Sequence, residues 1–181
     1  MAKIALSDLT GKAVELPPAP LRVLVFATVD ELGLLRGVAE EQRNSSYPVD
    51  LVLVFIGTDL KDAKAFQKSN PQVKLYKANN IASFHHLGVT EVPWVVFVEN
   101  SEIKLTARPN EIGSPLMGKL ISRILPTSPL LQSAINKATE IPTDKVDQLE
   151  VFVEMNQKEL DSLKTELQQR DDLISHLTEK L

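Results

Sequence analysis

The sequence predicts an α/β domain, a mixed central sheet flanked by helices, followed by one long C-terminal coiled-coil helix. Three observations predict it. Runs of strand length, Leu21–Ala27, residues 49–56 and Trp94–Glu99, are apolar at nearly every position, as strands covered on both faces must be. Amphipathic segments of helical length separate these runs. From Val146 the apolar period changes to a sustained heptad. The expected organisation is a domain over 1–125, a linker with a short helix over 126–142, and a coiled-coil helix over 143–181.

The elements follow in order. Leu21–Ala27 is a buried strand, and residues 30–43 form a helix with Asp30 as N-cap and Leu34, Leu35, Val38 and Ala39 on one face. Residues 49–56 form the second strand, closed by Gly57. Residues 59–68 are an amphipathic helix stopped by Asn70-Pro71. A short strand over 73–76 and a short helix over 80–87 come next. Pro93 opens the strand Trp94–Glu99, and Asn100-Ser101 turns the chain into its partner, Glu102–Ala107. Ser114-Pro115 reads as an N-cap followed by proline at the first helical position, starting a helix that runs to Leu125. Pro126 to Pro129 breaks the chain before a helix over Pro129–Thr139.

Composition excludes several function classes. The 181 residues carry 20 basic and 24 acidic side chains, a net charge of −4, so no electrostatic excess exists to hold nucleic acid or an anionic membrane. There is no cysteine, which removes disulfides, thiolate nucleophiles and Cys-type metal sites together. No apolar run approaches the roughly 20 residues of a spanning helix. The opening residues lack a basic stretch followed by an apolar one, so the expectation is a cytoplasmic protein, though a trimmed leader would leave the same pattern. His85-His86 lacks a carboxylate at ligand spacing and is read as surface, as is His176. No metal and no cofactor are expected. The Glu40-Glu41 pair is read as a solvated face, and Lys61, Lys64, Lys68, Lys74 and Lys77 as a modestly basic strip.

Three phrases occur in a telling order: Leu9-Thr10-Gly11-Lys12-Ala13-Val14-Glu15-Leu16, then Phe26-Ala27-Thr28-Val29-Asp30-Glu31-Leu32-Gly33 between strand and helix, then Gly88-Val89-Thr90-Glu91-Val92-Pro93 before the strand hairpin. Over about residues 7 to 125 the chain resembles the thioredoxin-like superfamily, of the TlpA or redoxin type. The resemblance implies that Val29 stands at the family's tryptophan, Asp30 at its attacking cysteine, Gly33 at its resolving cysteine, and Pro93 at its cis-proline. A carboxylate forms no mixed disulfide, so the family's chemistry would be absent. What would remain is a degenerate active-site and peptide-binding surface of Val29, Asp30, Glu31, Gly33, Val92 and Pro93. Favoured over a retained groove is the plainer reading, in which Pro93 only shapes the entry into a core strand. Trp94 reads as core packing before a binding hot spot.

The heptad places Val146, Val153, Leu160, Leu167, Ile174 and Leu181 at a, and Leu149, Asn156, Leu163, Arg170 and Leu177 at d. Nine of these eleven positions are apolar, so the stripe calls for a partner helix. A homo-oligomer is favoured over a different protein. Arg170 facing itself disfavours the simplest parallel pairing, and orientation stays open. A solvated helix, frayed towards its end, is the plainest alternative. The function expected is therefore a redox-inactive interaction module, an adaptor, scaffold or assembly factor, joined through its coiled coil. The rival is an enzyme of glutathione-transferase or peroxidase type using a substrate's thiol, and that scaffold carries a large all-helical second domain where this chain has a heptad. A purely structural spacer is the third reading.

Overall fold

The structure is a computed structural model that describes residues 6–58, 60–139, 157 and 160–170. The chain divides into two compact units, Met1–Ala138 and Thr139–Leu181. In the first, a seven-stranded sheet has the order β2-β1-β5-β4-β3-β6-β7. Its strands are β1 (Leu6–Ser7), β2 (Ala13–Val14), β3 (Leu21–Ala27), β4 (Asp50–Ile56), β5 (Lys74–Ala78), β6 (Trp94–Glu99) and β7 (Glu102–Ala107). β3, β4 and β5 are parallel, while β6 and β7 close the sheet antiparallel. The sheet is mixed, as the sequence predicts.

Helix α1 (Leu32–Ser45) links β3 to β4, and α2 (Lys61–Ser69) links β4 to β5. Successive right-handed crossovers in one direction place both helices on the same face. The core agrees. Val23, Val25, Leu53 and Phe97 pack with Leu35 and Val38 of α1, Phe66 of α2 and Leu120 of α4 (Leu116–Ile124). The alternate residues Leu24, Phe26, Val52, Val54 and Val96 face the other way, onto Phe84 and Leu87 of the 3-10 segment Ala82–Leu87. The Phe26 and Phe84 rings meet at 5.0 Å with a 54° tilt. Both faces of the central strands are thus dry, which explains why they are apolar at nearly every position.

Some expectations shift. The helix expected at 30–43 is a 3-10 turn over Val29–Glu31 and then α1, and Asp30 is not its cap. Thr28 takes that place: its N–H and Oγ donate to the Glu31 carboxylate, and its carbonyl accepts the Glu31 N–H at 3.2 Å. Ser114-Pro115 is a cis bond, and Pro115 occupies the cap position of α4 instead of the first helical position. The cap comes from afar. Glu41 on α1 accepts the N–H groups of Leu116 at 2.8 Å and Gly118 at 3.2 Å, so it is not the solvated residue the sequence suggests.

The serine–proline cap appears one helix later. Ser128 precedes Pro129 of α5 (Pro129–Thr139), and its Oγ accepts the Leu131 N–H at 3.1 Å. That hydroxyl in turn donates to the buried Glu99 carboxylate. Leu131 is fully buried in the main core. The short helix expected within 126–142 therefore packs with the domain. α3 (Pro109–Ile112), absent from the sequence reading, lies between β7 and α4.

Candidate functional site

The end of β3 leads into α1 through the Val29–Glu31 turn. Val29 is 42% exposed and Asp30 is exposed, whereas Glu31 is half-buried by its bonds to Thr28. Gly33 is exposed at the second position of α1, with open space where a Cβ would stand. The Val92–Pro93 bond is cis and delivers the chain directly into β6, where Trp94 pairs with Phe26.

A cavity of about 300 Å³ lies between this loop and α1, lined by Leu34, Val92, Pro93, Arg108, Pro109 and Asn110 among others. A second, of about 330 Å³, shares Leu34, Pro109 and Asn110 and continues along Gly33 and Gly37 of α1. Of the six residues expected at the site, Gly33, Val92 and Pro93 line these cavities. Val29, Asp30 and Glu31 line neither. Leu34, Gly37 and the Arg108–Asn110 corner line them as well and are not among the six. Pro109 at a helix start with Glu111 two residues on, accepting the Arg108 N–H at 3.1 Å, was the available signal.

The groove carries its own charge balance. Arg108 Nε donates to Glu91, tying the cis-proline loop to the start of α3. That hydrogen bond, and then the charge of Glu91, raise the Arg108 pKa above its ordinary value. Asp30 stands exposed in the turn before the helix, an acidic side chain in a chain that has no cysteine. The chain has no thiol to exchange at this surface.

Elsewhere, His85 and His86 are exposed in the 3-10 segment. Among the described residues no group of three or more His, Cys, Asp or Glu is placed to hold a metal ion. Trp94 is half-buried against the second core cluster, its Nε1 donating to Thr106. Lys64 and Lys68 are exposed on α2, while Lys74 is paired with Asp50. Among the described residues no helix is long and apolar enough to cross a membrane.

In the second unit, residues 160–170 are helical and exposed. Leu160, Leu163 and Leu167 are 52%, 55% and 62% exposed. Arg170 is exposed in line with them. Val146, Leu149, Val153, Asn156, Ile174, Leu177 and Leu181 lie outside the described residues.

Comparison with solved structures assigns the fold. A thioredoxin-like protein from Porphyromonas gingivalis superposes with a TM-score of 0.53 at 18% identity, over 69% of this chain and 89% of that one. The exposed lipoprotein thioredoxin Etrx1 of Streptococcus pneumoniae gives 0.52 at 14% identity, over 68% and 98%. DsbF of Mycobacterium tuberculosis (MTB), in mixed oxidised and reduced forms, gives 0.52 at 18% identity, over 70% and 96%. No family model matches the sequence, and no curated protein matches it. The fold of the first unit is the one these three proteins share.

Proposed function

We propose, from the premise that the scaffold is thioredoxin-like and holds no thiol, that this chain is a redox-inactive protein-interaction module that self-associates through its C-terminal heptad. The observation that carries the reading is the pairing of a sulfur-free helix start at Asp30 and Gly33 with an uncovered row of leucines. The groove beside Pro93, about 300 Å³ and lined by Leu34, Val92, Pro93 and Pro109 among others, supports a binding role. The leucine row supports assembly, because each of these side chains loses roughly 1.5–3 kcal/mol by staying in water.

Two assays on the full chain test the non-catalytic half. Dithiol-driven disulfide reduction and glutathione-dependent peroxide reduction are both expected at the level of the blank. Turnover in either, abolished by Asp30→Ala, overturns it. The paired variant Asp30→Cys/Gly33→Cys is expected to form an internal disulfide and to gain reductase activity, because it restores a thiolate at a helix start. A paired variant that stays reduced under oxidant contradicts the placement of positions 30 and 33.

A further inference from the structure

We infer that the first unit holds a small-molecule site, for a short aliphatic acid with a hydroxyl or ammonium group beside its carboxylate. The site is a cavity of about 450 Å³ where α1 ends and β4 and β5 begin. It lies at the far end of α1 from the groove beside Pro93, which takes Gly33 and Leu34 from the first turn of that helix. Its volume falls within the range of small-ligand pockets, about 300–1,000 Å³.

Each part of the ligand follows from a feature of the lining. Ala39, Val49, Leu51 and Val73 form an aliphatic wall continuous with the main core, which suits a short branched hydrocarbon. Gln42 stands beside it, with Nε2 donating to the Tyr47 carbonyl at 2.9 Å. Its Oε1 is the single buried side-chain nitrogen or oxygen that lacks a hydrogen-bond partner among the described residues. An acceptor left in that state is costly, and a hydroxyl or ammonium group relieves it. The charges supply the other end. Asp50, the carboxylate of the lining, is already bonded by Arg22 at 2.7 Å and by Lys74. Arg43, exposed in the last turn of α1, makes no salt bridge among the described residues. With Asp50 satisfied, the Arg43 fork and the remaining Lys74 protons leave the mouth positive in a chain of net charge −4. A carboxylate matches that fork with two parallel hydrogen bonds. The partial negative charge at the end of α1 then sets the donor, and not the carboxylate, against the helix end where Gln42 stands.

A titration of the full chain, followed by proton–nitrogen correlation NMR, tests the site with three probes on one carbon skeleton. Leucic acid, leucine and isocaproic acid carry a hydroxyl, an ammonium group and no donor beside the same carboxylate. Leucic acid or leucine is expected to shift the amides of residues 42–51 and 72–74 and to leave those of Gly33, Leu34 and Val92 in place. Whichever binds more tightly identifies the donor. Isocaproic acid is expected to bind about tenfold more weakly, the loss of one hydrogen bond. Arg43→Gln, at an exposed position, is expected to raise the dissociation constant about tenfold or more. Gln42→Met is expected to abolish the preference over isocaproic acid. No shifts with either acid up to its solubility limit, or shifts centred on the groove beside Pro93, would overturn the inference. So would isocaproic acid binding as tightly as the other two, or an Arg43→Gln chain that binds unchanged. None of these results bears on the heptad, so the proposed self-association stands or fails separately.

Discussion

Glu40 and Glu41 are adjacent on α1, yet only Glu41 takes the first N–H groups of α4, where Pro115 has no side chain able to do so. Glu41→Ala is expected to cost about 1–2 kcal/mol in chemical denaturation, the usual loss for a helix cap. Glu40→Ala, on the exposed side, should stay within about 0.5 kcal/mol. Asp50 makes a second local argument. Burial raises its pKa, but hydrogen bonds from Lys74 and Arg22, and their charges, outweigh that and hold the carboxyl below its ordinary value of 3.8. A lowered pKa contributes stability that is present above the ordinary value and lost as pH falls through the folded one. Unfolding free energy should therefore fall below about pH 4, and Asp50→Asn should remove that part of the acid dependence. At neutral pH the same change leaves the buried Arg22 guanidinium without its anion and should cost about 3 kcal/mol. Neither glutamate nor aspartate could be assigned from sequence, because each acts across distant parts of the chain.

At the level of elements, legibility tracked how many faces are dry. β3 and β6 match their expected bounds because nearly every residue faces one cluster or the other and is apolar, with Arg22 and Glu99 the two charged exceptions. β7 was legible for another reason, its turn at Asn100-Ser101, where both residues adopt positive φ. β1 and β2 were missed, since two residues each cannot show a period and their place is set by pairing, Ser7 against Lys77. The serine–proline signal was assigned to 114–115, although it operates at 128–129. Local chemistry is the same at both, and tertiary contacts decide. α5 illustrates the energetic consequence. Leu131→Ala is expected to cost about 2–5 kcal/mol by opening a cavity in the main core. For the same reason a truncation after Leu125 should melt well below one ending at Thr139 in a thermal denaturation.

For the whole molecule, three of the six residues expected at the site line a cavity and three do not, and the division is instructive. Gly33, Val92 and Pro93 could be placed because a cis-proline loop and a helix start carry short motifs. The Arg108–Asn110 wall could not, because it comes from the far end of β7 and meets the loop only through the fold. The second unit reverses the problem: its heptad is plain in sequence, while the partner we propose for it is a second copy of the chain. We propose that the exposed leucine row unites copies of a scaffold that carries no thiol. Multi-angle light scattering on the full chain and on Leu160→Asp/Leu163→Asp/Leu167→Asp tests it directly. The predicted result is twice the 20.1 kDa chain mass for the wild type and a single chain for the variant. A wild type that scatters as one chain, at the same mass as the variant, would contradict the account.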